Sequence, residues 1–312
     1  MDTNAPKPKK TSQQLLNPLP GFVEDSITHE LVLSATFVGT FNGMGVIVDD
    51  LHAIENLYNN GFFGKGSLSR SIPDVMLNEN NPIIMKERQY NNTQGLMNDM
   101  NLYNKNINLE KCIILPDSDD EDIETDIDVL KLTFSDLSSL LKETESHKEI
   151  FLLMLEEAFF LTYAIGCLKI KDESGQILNF EEIWNLFKNV QADFIPKYIV
   201  YHYFRCKNWV VKSGLKYGSE FLLYKDGPTF YHASYAVKIQ VYINNGEEIY
   251  GKQLTRNQMN ALTRLLNSSG KEVLLAQVFY PNDFDMKINN LYKVKINEVQ
   301  LKTLFLKDIM MQ

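Results

Sequence analysis

The chain has 312 residues, 44% of them hydrophobic, which suits one large domain or two modest ones with a sizeable core. Its net charge of −9 argues on average against a nucleic-acid partner. Cys112, Cys167 and Cys206 are far apart and share no CxxC spacing, which points to a reducing compartment and away from a disulfide framework or a thiolate zinc site.

Residues 1–20 form a polar tail in which Lys7, Lys9 and Lys10 are interrupted by Pro8. No apolar stretch follows these lysines, so no secretory signal is expected. Residues 21–85 look like a small N-terminal domain. The run Leu31–Val38 and the short Gly45–Val48 are strand-like, and Asp49–Tyr58 reads as a helix with Asp50 as its N-cap. Residues 86–147 are rich in Asn, Asp, Glu and Ser, and Asp117–Asp128 is almost solid acid. Such a segment cannot bury enough apolar surface to offset chain entropy, so a flexible acidic linker is expected.

Residues 148–312 read as a larger domain, with a helical part over 148–207 and an α/β part over 208–312. The strongly apolar Glu149–Leu168 predicts a buried helix, because Glu156 and Glu157 interrupt it and argue against a bilayer span. Asn179 stands three residues before Glu182, the spacing of a capping box, and opens a second helix. Pro196 fits the first turn of a third, which runs to about Cys206. The period then shortens. Trp209–Val211, Glu220–Tyr224 and Ser234–Ile243 alternate like strands, separated by Gly214, Gly218 and the Asp226-Gly-Pro228 turn. Leu254–Asn267 predicts a helix, Glu272–Tyr280 a buried strand and Leu291–Leu301 a last strand. The fold class is therefore mixed α/β, an α+β arrangement with a helical lead-in and a central mixed sheet.

Charge is unevenly distributed. Between residues 195 and 240, Lys197, Arg205, Lys207, Lys212, Lys216, Lys225 and Lys238 face only Glu220 and Asp226, a local basic field suited to phosphate. Gly61-Phe-Phe-Gly-Lys-Gly66 looks superficially like a phosphate loop, but it lacks the required glycine–lysine spacing and the hydroxyl that follows the lysine. His29, His52, His147, His202 and His232 show no ligand spacing with one another, so no metal or other cofactor is expected.

The segment Tyr201–Val237 is denser in chemistry than any other. Taken singly, Tyr224 reads as a strand aromatic, His232 as a hydrogen-bonded histidine and Lys271 as a solvated lysine. Together, however, His202-Tyr-Phe204, Trp209, Lys212, Gly214-Leu-Lys-Tyr-Gly218, Leu222-Leu-Tyr224, Gly227-Pro228 and His232-Ala233 resemble the signature of tRNA-splicing endonuclease catalytic subunits. The resemblance extends upstream through Leu155–Leu161 and Ala164–Leu168, and downstream to Lys271–Leu275. Tyr58–Arg70 also resembles the eukaryotic subunit that cuts the 5′ exon–intron boundary.

The resemblance implies a triad of Tyr224, His232 and Lys271, and cleavage of a pre-tRNA phosphodiester by the adjacent ribose 2′-OH. The products would be a 2′,3′-cyclic phosphate and a 5′-OH. The residue types suit that reaction. An imidazole with an ordinary pKa of about 6.5 serves as general acid near neutral pH. A lysine supplies fixed charge where the phosphorane becomes negative. The phenol is either the general base, favoured as phenolate by nearby cations, or an orienting hydrogen-bond partner. A nucleophile tethered beside the phosphorus needs no metal-activated water, and DNA, which lacks it, should be inert.

For substrate binding, the resemblance places Arg264 as one face of a clamp on a flipped base, with Lys225 beside the site. Base stacking of this kind contributes roughly 1–3 kcal/mol. The family's C-terminal tryptophan is replaced by Leu304, with Phe305 adjacent, so the second face of the clamp is not identified. Implied partners are intron-containing pre-tRNA and three other endonuclease subunits, two structural and one a second catalytic chain, with no membrane and no DNA. Nuclear residence is implied as well. Two other classes stay open: a non-catalytic scaffold of the same complex, and a DNA-directed nuclease on a similar fold.

Overall fold

The computed structural model describes residues 6–9, 19–24, 31–66, 150–243, 248–250, 254–282 and 284–301. The acidic linker expected over 86–147 lies outside the described residues, as do Leu304 and Phe305. Residues 1–64 and 152–312 form one compact unit; of the second, 65–151, only 65, 66, 150 and 151 are described.

The first unit opens with an antiparallel pair, β1 (Phe22–Glu24) and β2 (Leu31–Leu33). Strand β3 (Phe37–Phe41) buries alternate residues, as a half-covered strand must, and pairs antiparallel with β4 (Val46–Val48). Helix α1 (Leu51–Asn59) starts where the sequence predicts, with the Asp50 carboxylate accepting the Ala53 N–H at 3.0 Å. A two-residue strand, β5 (Lys65–Gly66), follows it. The unit resumes in β6 (Phe151–Leu153), α2 (Leu155–Phe159), a π-helical turn over Phe160–Ile165, and β7 (Leu168–Lys171). Strand β7 runs parallel to β3, with Phe37 opposite Leu168 and Thr40 opposite Lys171. Segments on either side of residues 67–149 thus share one sheet, in which β6 lies next to β4.

The single helix expected over Glu149–Leu168 is not found. The Glu157 carboxylate accepts the Met154 N–H at 3.1 Å and starts a helix only at Leu155. Gly166, with φ +82°, ends the turn that follows, so the chain leaves into β7. The apolar stretches on either side of Glu156 and Glu157 have no period by which to distinguish strand from helix, and here they end in strands. The expected strand over Leu31–Val38 is likewise two strands, broken where the Ser34 N–H and hydroxyl both donate to the Gly21 carbonyl.

Helix α3 (Phe180–Val190) carries the expected capping box, with Asn179 and Glu182 exchanging hydrogen bonds of 2.8 and 2.9 Å. Helix α4 (Phe194–Cys206) has Pro196 in its first turn and is apolar around most of its circumference. It packs on α2 and α3 and also on strands of the second sheet, so Tyr198 and Tyr201 are fully buried. Burying aromatics of this size contributes about 2–3 kcal/mol each. Phe159 anchors the helical cluster, its ring centroid 4.8 Å from Tyr198 and 5.1 Å from Trp184.

The second sheet is mixed, as the sequence predicts. Its strands are β8 (Val210–Ser213), β9 (Phe221–Tyr224), β10 (Tyr235–Ile243), β11 (Glu248–Tyr250), β12 (Glu272–Tyr280) and β13 (Lys295–Leu301), in the order β13-β12-β10-β9-β8 with β11 on β10. Only β10 and β12 run parallel, with Tyr235 opposite Glu272, and α5 (Arg256–Ser268) makes the crossover between them. The last strand begins later than expected. Ile288–Lys293 forms 3₁₀ turns behind Asp285, whose carboxylate accepts from Asn290 at 2.6 Å, and β13 starts at Lys295.

Candidate active site

One end of the second sheet gathers three segments that are far apart in the chain. Tyr224 is the last residue of β9 and His232 lies just before β10, while Lys271 immediately precedes β12. The backbone of Ser234 ties them together: its N–H donates to the Leu223 carbonyl at 2.9 Å, and its carbonyl accepts the Glu272 N–H at 3.0 Å. Parallel pairing of β10 with β12 therefore sets Lys271 level with the segment that carries His232. Tyr224 and Lys271 are buried, and His232 is half-buried.

The turn after Tyr224 depends on Gly227. Its φ of +117° is nearly closed to other residues, and a β-carbon there would lie 2.1 Å from the Phe62 ring. Its carbonyl accepts the N–H groups of Phe230 and Tyr231, which brings the chain back toward the sheet. Phe62 packs edge-on to Phe230, with centroids 5.8 Å apart. The Gly61–Gly64 segment is thus a wedge beneath the loop, and its other residues are anchored too. The Gly61 carbonyl accepts from Arg205 at 2.8 Å, and the Arg205 guanidinium lies 4.0 Å from the Phe63 ring centroid. The Gly64 carbonyl accepts from Lys212 at 2.8 Å, and the Gly64 N–H donates to Glu157. This run, which superficially looks like a phosphate loop, is a structural element.

Lys271 follows Gly270, which has φ +69° and turns the chain out of α5. The Lys271 amine donates to the Ser269 carbonyl at 3.3 Å and lies 4.2 Å from the ring centroid of Tyr217. A buried ammonium needs such compensation, and a desolvated cation–π contact supplies about 2 kcal/mol. Sequence reasoning missed Tyr217 as a neighbour of Lys271. The only signal was its place in the Gly214–Gly218 block.

Another contact was missed as well. Lys9 donates its N–H to the Phe230 carbonyl at 2.7 Å, and the His232 N–H donates to the Lys7 carbonyl at 3.2 Å. Pro8 and Tyr231 form an antiparallel bridge between them.

The remaining residues singled out in the sequence are dispersed. Lys225 is exposed, its amine 5.2 Å from the Tyr231 ring centroid, and so belongs to the same loop. Arg264 is exposed on α5, seven residues before Lys271. Four lysines of the basic field of 195–240 are engaged in ion pairs. Lys197 pairs with Asp193 at 2.9 Å, Lys207 with Glu298 at 2.6 Å, Lys212 with Glu157 at 3.2 Å and Lys238 with Glu220 at 2.8 Å. The pairs of Lys207, Lys212 and Lys238 join separate elements, whereas that of Lys197 lies within the first turn of α4.

Among the described residues, no group of three or more His, Cys, Asp or Glu side chains is placed to hold a metal ion. No described helix is long and apolar enough to cross a membrane. The three segments that meet at the sheet end carry a phenol, an imidazole and an ammonium, side-chain types suited to proton transfer and to stabilising negative charge.

Residues 194–287 match the tRNA intron endonuclease, catalytic C-terminal domain, and residues 139–184 match the tRNA intron endonuclease, N-terminal domain. The chain is 41% identical over 157 residues to the tRNA-splicing endonuclease subunit Sen2 of Mus musculus, covering 49% of this chain and 34% of that protein. It is 44% identical over 134 residues to the Rattus norvegicus subunit of the same name, covering 43% of this chain and 29% of that protein. A longer match, 28% identical over 299 residues, joins it to the probable tRNA-splicing endonuclease subunit sen2 of Schizosaccharomyces pombe, covering 80% of this chain and 76% of that protein. The chain thus matches about a third of the length of the rodent relatives.

Proposed function

We propose that the chain, which matches both tRNA intron endonuclease domains and is similar to Sen2 subunits, cuts intron-containing pre-tRNA at the 5′ splice site. The nucleophile is the ribose 2′-OH beside the scissile phosphate, held next to phosphorus by its own covalent tether. His232 protonates the departing 5′-oxygen. Lys271 offsets the charge that builds on the phosphorane. Tyr224 removes the 2′ proton or orients that hydroxyl. Bonds balance without added water: the 2′-oxygen joins phosphorus, the bond to the 5′-oxygen breaks, and a 2′,3′-cyclic phosphate and a 5′-OH remain.

The observation that supports this reading is the double hydrogen bonding of Ser234, which joins the segments bearing the three groups. In this reading 148–312 is the endonuclease domain, and 21–85 is a small N-terminal domain that lends strands to it. Arg264 and Lys225 contact the RNA. Three further subunits, two structural and one catalytic, complete a nuclear complex. Among the described residues β13 is outermost in its sheet, and its edge suits continuation into a partner's sheet.

The test is to map the ends of pre-tRNA cut by the reconstituted complex in excess EDTA. A 2′,3′-cyclic phosphate at the 5′ splice site, formed at an undiminished rate, is the expected result. A 3′-hydroxyl product, or complete dependence on an added divalent ion, would contradict the mechanism.

A further inference from the structure

Residues 7–9 make a short added strand on the loop that carries His232. The two hydrogen bonds, Lys9 N–H to Phe230 and His232 N–H to Lys7, flank the Pro8–Tyr231 bridge. Proline fits the middle of such an edge, since its missing N–H is not needed there. The Lys7 side chain crosses toward the start of β12. A β-carbon on Gly270 would lie 3.7 Å from the Lys7 amine. Lys7 therefore meets the backbone of His232 at one end and the residue before Lys271 at the other. Its side chain is exposed to solvent, whereas that of Lys271 is buried. An exposed ammonium beside the segment that carries Lys271 is placed to meet a backbone phosphate of a bound polynucleotide.

We propose that residues 7–9 form an active-site strap in which Lys7 binds an RNA backbone phosphate beside the scissile one while its carbonyl fixes the loop of His232. This rests on the endonuclease reading above and adds a residue outside the triad. Lys7 is a positioning residue. The strap orients His232 through backbone bonds, and its amine holds substrate without taking part in proton transfer.

The experiment uses the reconstituted complex with intron-containing pre-tRNA, comparing wild type, Lys7→Ala, Lys7→Arg and His232→Ala in steady-state cleavage across a salt series. Lys7→Ala is expected to raise KM about tenfold, the loss of one charged phosphate contact, with a much smaller change in kcat. The slope of log(kcat/KM) against log salt should become shallower by about 0.7, as one fewer counterion is released from a single strand. Lys7→Arg should restore most of KM, which a purely structural defect at this position would not predict. The proposal is overturned if Lys7→Ala leaves KM and the salt slope unchanged while His232→Ala is inactive. It is equally overturned if Lys7→Ala cleaves faster, since the segment would then obstruct the site. Normal cleavage by His232→Ala would instead remove the underlying endonuclease mechanism, whatever Lys7 does.

Discussion

The Lys271 amine rests 4.2 Å from the centre of the Tyr217 ring. These residues are 54 positions apart, and nothing local in the sequence joins them. The ring face offsets part of the cost of burying the ammonium. Tyr217→Leu should therefore slow single-turnover pre-tRNA cleavage about tenfold, the equivalent of a cation–π contact of 1–2 kcal/mol, and lower the melting temperature by a few degrees. Tyr217→Phe keeps the ring face and should stay near wild type. Equal rates for the leucine and wild-type proteins would show that the ring does not support Lys271.

Gly227 and Phe62 occupy space that only one of them can fill with a side chain. Gly227→Ala should destabilise the protein by about 2–4 kcal/mol, combining left-handed backbone strain with an overpacked contact. Adding Phe62→Ala should recover part of this loss, because the clash disappears while the backbone strain remains. Urea unfolding of both singles and the double would reveal the coupling, and simple additivity would argue against the wedge.

Glu157 is buried at 1% exposure and is paired with Lys212 at 3.2 Å. Lys212→Met removes the counter-charge and should cost about 3–5 kcal/mol, because it strands a carboxylate in the core. Adding Glu157→Gln should restore a good part of that, since neither remaining group is charged. Thermal melts would decide, and a Lys212→Met protein as stable as wild type would sink the idea that this pair anchors the Gly61–Gly64 wedge.

Glu156, beside it, is different. Burial raises its pKa above the ordinary carboxylate range, outweighing the hydrogen bond from Gln191 and the nearby Lys197. The fold therefore prefers the protonated acid. Its stabilising contribution is fully present below the unfolded glutamate value of about 4.3 and is lost as pH rises through the elevated folded value. Glu156→Gln should accordingly raise Tm by a few degrees at pH 7.5, and the gain should shrink as pH falls toward 4.5. A gain that grew on acidification would reverse the assignment.

Much of the architecture is legible in local signals. The caps at Asp50 and Asn179 are short-range hydrogen bonds whose donors and acceptors stand three residues apart, and the alternating run of β12 carries its own period. The segment 149–168 misleads because its apolar residues satisfy strand, helix and π-turn equally, and tertiary pairing with β3 and β4 decides. The candidate site is less legible still. That β10 and β12 run parallel, and so bring Lys271 beside the loop of His232, follows from a crossover that no nearby residue announces. Lys7 illustrates the same limit, because a lysine in a polar tail gives no sign that its carbonyl meets His232 more than 200 residues away. In the basic run of 195–240, Lys197, Lys207, Lys212 and Lys238 form ion pairs whose partners the run alone does not announce.

The central claim is that the RNA's own 2′-hydroxyl attacks phosphorus within the Tyr224, His232 and Lys271 cluster. It is tested most directly by single-turnover cleavage of pre-tRNA carrying one 2′-deoxyribose immediately 5′ of the scissile phosphate. That substrate should bind with unchanged affinity yet remain intact at the 5′ splice site, while cleavage at the 3′ site proceeds. Cutting at the modified position at the normal rate would contradict the account.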